Sequence, residues 1–177
     1  IVNPDHLGTD GYSSSAILSM NDNGQGLLGI DGIFAGAQPD AGACGAVCDA
    51  PASNLTCNKT PMFKLTDNYG QSWAGNHAAF DFYYVPDAVF DDIFESWPNS
   101  VVIDACDGTT EDVCGYWSWY DFDMRVDSEG NPHIVVSLLA ETQNSFPTIP
   151  GKTGFYHLTI DRDMLDNNHD DNPDWIN

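Results

Sequence analysis

Six aspartates crowd one stretch of the sequence, Asp161, Asp163, Asp166, Asp170, Asp171 and Asp174. Carboxylates held that close repel one another unless a cation sits among them. Ca²⁺ takes about 6 to 8 oxygen ligands and accepts irregular loops. The spacing is not that of an EF-hand, since the sixth position is Asp166 where Gly is needed and the twelfth is Asn172 where Glu is needed. Asp161, Asp163, Asp166 and Asp170 are the candidate Ca²⁺ ligands, and a solvated acidic loop is the competing reading. A second candidate is Tyr116-Trp117-Ser118-Trp119-Tyr120. Flat rings stack on sugars, so Trp117, Trp119 and Tyr120 are candidate glycan-stacking residues, against the alternative that the two tryptophans pack inside the protein.

Other chemistries find less support. Glycoside hydrolysis needs two carboxyl groups at a set separation across the sugar. With 27 acidic residues, pairs are too plentiful for any one to be singled out. The histidines, His6, His77, His133, His157 and His169, show no HxH or HExxH spacing, which argues against a zinc site. The chain also lacks a G-x-S-x-G elbow, a P-loop and a dinucleotide fingerprint.

The charge is lopsided, 27 acidic residues against 5 basic ones for a net charge of -22, and all the acids but Glu95, Glu111, Glu129 and Glu141 are Asp. Asp favours turns and is a hard oxygen ligand, so the excess suits a loop-rich β protein in contact with salt water or divalent cations. Nucleic acid and anionic membranes are unsuitable partners for such a surface. No segment approaches the ~18 apolar residues of a membrane span, so membrane insertion is not expected. With 42% hydrophobic and 12% aromatic residues the chain has material for a core. It opens at Ile1-Val2-Asn3-Pro4 without Met or a signal peptide, and the expectation is a processed or interior piece of something longer. Cys44, Cys48, Cys57, Cys106 and Cys114 have spacings unlike CxxC sites and lie in Gly-, Asp- and Thr-rich stretches. They read as disulfides of an exported protein, most simply Cys106 with Cys114 and one pair among the first three, with Cys44 and Cys57 as candidates. Asn54-Leu55-Thr56 and Asn58-Lys59-Thr60 are sequons, meaningful only in a eukaryotic host.

The elements that would position these groups are strands around one turn motif. Thr66-Asp67-Asn68-Tyr69-Gly70-Gln71-Ser72-Trp73 fits the pattern [ST]-x-[DN]-x-G-x-[ST]-W. In such a turn the Asn68 side chain bonds its own backbone, Gly70 supplies a positive φ and Trp73 folds back as an apolar plug. The stretch resembles the Asp-box, or bacterial neuraminidase repeat, of sialidase-like β-propellers, with Asn68 where Asp is usual. The resemblance implies a structural box of Thr66, Asn68, Gly70, Ser72 and Trp73 that joins the third and fourth strands of a blade without touching substrate. Sialidases also need an arginine triad and a Tyr nucleophile backed by Glu. Arg125 and Arg162 are the only arginines, and there is no Arg-Ile-Pro motif, so a complete sialidase site is excluded within these residues.

A degenerate repeat surrounds the box. Residues 13–20 and 25–34 read as strands about Asn21-Asp22-Asn23-Gly24, and residues 121–126 and 133–140 as strands about Asp127-Ser128-Glu129-Gly130. Phe122, Met124 and Val126 alternate with Asp121, Asp123 and Arg125. Third strands follow at 62–66 and 154–160, with Tyr156, Leu158 and Ile160 on one face. The first leads through the box to Trp73 and the second through the acidic loop, an expanded box turn, to Trp175. Between the repeats, Phe90, Ile93, Phe94 and Trp97 recur at helical spacing after Pro86.

The fold expected is all-β, built of antiparallel four-stranded meanders as two blades of a sialidase-like β-propeller with one inserted helix. Residues 1–85 form the first repeat with a Cys-rich insertion at 36–60, residues 86–98 the helix and residues 99–177 the second repeat. Two blades cannot close a ring that normally has ~4 to 8, so the partners expected are the remaining blades of a larger chain or a partner protein. Together with Asp121 to Val136, the box resembles the blade hairpins of large secreted Asp-box proteins of marine Bacteroidetes-type bacteria. That likeness implies export by the type IX system and an extracellular or cell-surface location. The function expected is a non-catalytic binding or scaffold segment, glycan-binding or adhesive. The alternatives are part of a carbohydrate-active enzyme whose catalytic residues lie mostly elsewhere, and a β-sandwich lectin with a chance Asp-box.

Overall fold

The computed structural model describes residues 15–32, 59–75, 82–97, 101–103, 108, 110–142 and 145–165. They are mostly antiparallel strand. Strands β1 (Ile17–Met20), β2 (Gly26–Gly32), β3 (Thr60–Thr66) and β4 (Tyr83–Tyr84) form a four-stranded meander in sequence order. Helix α1 (Asp87–Glu95) follows, then a two-stranded ribbon of β5 (Val101–Ile103) and β6 (Thr110–Asp112). A second meander consists of β7 (Gly115–Val126), β8 (Pro132–Glu141) and β9 (Gly154–Thr159), and a helical turn α2 (Arg162–Leu165) ends the described chain. Among the described residues no sheet closes on itself.

The two hairpin turns are built the same way. In the first, Asn21 N–H donates to Gln25 O (2.8 Å) and Gly24 N–H to Asn21 O (3.2 Å). In the second, Asp127 N–H donates to Asn131 O (3.1 Å) and Gly130 N–H to Asp127 O (3.2 Å). Asn21 Oδ1 accepts from the backbone N–H groups of Asn23 and Gln25, and Asp127 Oδ1 from those of Glu129 and Asn131. The glycines stand at φ 82° and 90°, where a side chain is strained, which is why the motif requires Gly there.

The sheets pack through β7, which lies against β1 and β2. Gly29 lets them approach, since a Cβ there would overlap Met124 Sδ. Leu27, Phe63 and Leu65 from the first sheet and Met124, Ile134, Val136 and Leu158 from the second share one buried core, which also takes Phe90 and Trp97. Tyr116 Oη donates to Asp91 Oδ1 (3.1 Å), fixing α1 to β7. The alternation on β7 is as expected, with Met124 buried, Phe122 and Val126 packed against the core, and Asp121 and Arg125 exposed.

Several expectations need correction. The insertion is shorter at its end than 36–60, because Lys59 is already buried and Thr60 begins β3. The helix ends at Glu95, with Pro86 at its N-cap and Trp97 beyond it. Strand β7 runs back through the aromatic stretch to Gly115. Its register slips between Ser118, opposite Leu138, and Phe122, opposite Val136, so the residues between form a β-bulge. The acidic stretch opens with a helical turn, closed by buried Leu165, where an open loop was expected. The fourth strand expected to end at Trp175 lies outside the described residues.

Candidate functional site

The box network shapes the turn that follows β3. Asn68 Oδ1 accepts from Ser72 N–H (2.9 Å) and Thr66 Oγ1 (3.0 Å), and Asn68 Nδ2 donates to Ser72 Oγ (2.7 Å). Gly70 N–H donates to Thr66 Oγ1 (3.1 Å). With Tyr69 at φ 56° and Gly70 at φ 77°, the chain reverses sharply and Leu65 pairs with Ala74. Trp73 covers Gly70 but is only half-buried, less enclosed than a plug would be. Tyr69 lies across Gly24 and donates from Oη to Asp22 O (2.8 Å), binding the box to the first hairpin turn.

That turn in turn docks on the second. Asn21 Nδ2 donates to Asp127 O (2.9 Å) and Asn23 Nδ2 to Ser128 O (3.1 Å), while Val126 N–H donates to Ser19 Oγ (3.1 Å). Arg162 completes the junction. Its guanidinium donates to Gly130 O (3.2 Å), Thr66 O (3.3 Å) and Asp67 Oδ1 (2.7 Å), reaching the second hairpin turn and the box at once. Partial burial pulls Asp127 upward, but the N–H groups of Asn131 and Glu129, the Asn131 amide and His133 outweigh it and hold Asp127 below the usual carboxylate range.

Between the turn ends lies an open cleft of about 740 Å³, lined by Gln25, Asp67, Glu129, Asn131 and residues 159–163. Asp67, Glu129, Asp161 and Asp163 surround the single guanidinium of Arg162, so the cleft favours cations and uncharged hydroxyl-bearing groups over anions. Asp161 and Asp163 are thus brought beside the box turn. Asp161 Oδ1, however, accepts Asp163 N–H (2.9 Å) as the cap of α2. Among the described residues no three His, Cys, Asp or Glu side chains converge as a metal site. The other two expected ligands, Asp166 and Asp170, lie outside the described residues. Of the two arginines, Arg162 is committed to the junction and Arg125 pairs with Asp123 (3.2 Å) on the exposed face of β7.

The aromatic candidates part company. Trp117 is enclosed with Met62, Phe82 and Tyr84 and has no ring face to offer a sugar. Trp119 is half-buried between Phe146 and Tyr120, and Tyr120 is 43% exposed. Cys114 is disulfide-bonded to a residue outside the described set, where Cys44, Cys57 and Cys106 also lie. His133 and His157 lie edge to edge across β8 and β9, Nδ1 to Nε2 at 2.9 Å, with Asp127 3.4 Å from the far nitrogen of His133.

Sequence reasoning missed a buried polar cluster beneath the bulge. Lys59 Nζ is 2.6 Å from Asp31 Oδ2, and both side chains are 0% exposed. Nζ also donates to Trp119 O (3.1 Å) and lies 4.9 Å from the Tyr120 ring centre, while Ser118 Oγ donates to Asp31 Oδ2 (3.2 Å). Burial pushes Asp31 up to about 6 against the lowering effect of Lys59 and Ser118. The available signal was Lys59 itself, one of three lysines in a strongly acidic chain, placed directly before the apolar run of β3. Thr60, third residue of a sequon, is buried there too, bonded to Val85 O. Compared with protein-family models, curated proteins and solved structures, the chain matches none.

Proposed function

We propose that these residues form two neighbouring blades of a sialidase-like Asp-box β-propeller in an exported surface protein, with a binding or scaffold role and no catalysis of their own. The observation that carries the reading is the tandem pair of hairpin turns, bonded internally in the same pattern and docked side by side through Asn21 and Asn23. Each turn joins the first two strands of a meander, and after the third strand of the first comes the box. The remaining blades come from a longer chain or a partner protein. The disulfide of Cys114 supports export. Tyr120, with the edge of Trp119, is the stacking surface for a glycan, and a Ca²⁺ ion would be held by Asp161 and Asp163 together with Asp166 and Asp170.

The test passes the protein over neutral and sialylated glycan arrays while incubating it with reporter glycosides. Retention lost in Tyr120→Ala, without release of aglycone, is the expected result. Retention of nothing narrows the role to scaffolding. Turnover that one carboxylate substitution abolishes would replace the reading with glycoside hydrolysis.

A further inference from the structure

We propose that Lys59 and Asp31 condense into an intramolecular isopeptide bond, closing the base of the segment between them covalently. A nitrogen 2.6 Å from a carboxyl oxygen stands roughly 3–3.5 Å from the carboxyl carbon, the separation of a near-attack conformer. Both groups are fully enclosed, so neither reorientation nor competing water dilutes the encounter. Burying an ion pair costs desolvation that its Coulomb attraction does not fully return, whereas an amide carries no charge.

The step balances within the cluster. The ammonium of Lys59 passes a proton to the Asp31 carboxylate, a transfer helped by the burial that raises the Asp31 pKa to about 6. The Nζ lone pair then adds to the carboxyl carbon, and Ser118 Oγ–H supports the oxygen it already bonds, Oδ2. In the tetrahedral adduct one further proton of Nζ and the acid proton delivered to Oδ2 both pass to Oδ1, whose bond to carbon breaks as it leaves as water while the carbonyl re-forms at Oδ2. The product amide has one donor and one acceptor, and both partners are in position. Trp119 O accepts the remaining N–H, and Ser118 Oγ donates to the retained oxygen. The bulge of β7 supplies Trp119, and Ser118 is the last paired residue before it, which gives that irregularity a chemical role. Residues 32–58, which hold Cys44, Cys48 and Cys57, would then stay tied at the base even with every disulfide reduced.

Mass spectrometry of the folded chain, denatured and reduced just before measurement, tests this. The expected mass is lighter than the sequence by one water. Residues 1–58 hold no Lys or Arg, so a tryptic map should show residues 1–64 as one internally bridged peptide, light by one water and uncut after Lys59, which chymotrypsin opens after Phe34 or Leu55 into a branched peptide joining Asp31 to Lys59. Lys59→Arg and Asp31→Ala should restore the full mass, and the map of the unsubstituted protein decides the matter even if those variants do not fold. Ser118→Ala should slow the appearance of the bridged peptide in samples taken at intervals after cell-free synthesis. Asp31 precedes Gly32, so a succinimide would show the same mass loss, but it hydrolyses in mild alkali and leaves Lys59 open to trypsin. That outcome, or full mass with cleavage after Lys59, overturns the bond and returns the cluster to a buried ion pair.

Discussion

Replacing Arg162 by alanine should weaken the junction of the two sheets more than any other change of a surface-reaching charge. Its side chain is only 12% exposed, and it donates to two backbone carbonyls, Gly130 O and Thr66 O, that belong to different sheets. Hydrogen bonds from a charged donor are worth about 1.5 to 3 kcal/mol each, and stranded carbonyls partly regain water at a cleft wall, so the low end applies and Arg162→Ala should cost ~3 kcal/mol. Asp67 is 70% exposed, and its ion pair with Arg162 should add under ~1 kcal/mol. For a chain of this size each kcal/mol moves Tm by about 2–4 °C, so Arg162→Ala should lower it by ~6–12 °C and Asp67→Ala by under ~4 °C. Differential scanning calorimetry of both single variants and the double variant gives the coupling directly. Equal losses in the two single variants would mean that the exposed ion pair, not the carbonyl contacts, holds the junction. An unchanged Tm in Arg162→Ala would refute the junction altogether.

Other substitutions separate the remaining contributions. Asn21→Asp keeps the oxygen that organises its own turn but loses the donor to Asp127 O, and should cost ~1–2 kcal/mol in urea unfolding, with Asn21→Ala costing more; a neutral Asn21→Asp would show that the amide contributes nothing between sheets. Gly29→Ala drives a methyl into Met124 Sδ and toward Met62 O, for a loss of ~1–3 kcal/mol that Met124→Ala should partly relieve; strict additivity of the two would count against the contact. Asp127 has a lowered folded-state pKa, so its stabilisation is present above the ordinary carboxylate value and is lost as pH falls through the folded one. Asp127→Asn should therefore be less stable than the parent above the ordinary carboxylate range, with the gap closing as pH falls through the lowered folded value, and a gap independent of pH would contradict the assignment.

The hairpins were legible in the sequence because their signals are local. Each turn needs one Gly at positive φ and one Asn or Asp to gather the backbone N–H groups, and the flanking strands alternate with period two. The box was legible for the same reason, through Thr66, Asn68 and Gly70. The bulge in β7 was not, because alternation on either side of it reads normally and nothing in residues 119–121 marks the added length. Trp117 shows the limit of residue type, since a tryptophan suited to stacking on a ligand is equally suited to a core, and only its neighbours Met62, Phe82 and Tyr84 decide. The contacts of Arg162 with the box span the whole distance between the repeats, and no spacing rule reaches that far. Lys59 and Asp31 are separated by an insertion whose length carries no register, so their meeting could be read only in three dimensions.

The turn-to-turn contact has a polarity. Asn21 and Asn23 offer amide hydrogens forward to the carbonyls of the second turn, but their counterparts there, Asp127 and Glu129, end in carboxylates, which when ionised have no hydrogen to offer. A string of units joined this way has a leading and a trailing face that cannot be exchanged. In such a string a following unit would have to bring its own N–H or cationic donors, and one that presented only carbonyls, as the second turn does to the first, would be refused. Four atoms on two short turns would thus order neighbours in an assembly, a form of addressing that survives wide drift in the strands behind them.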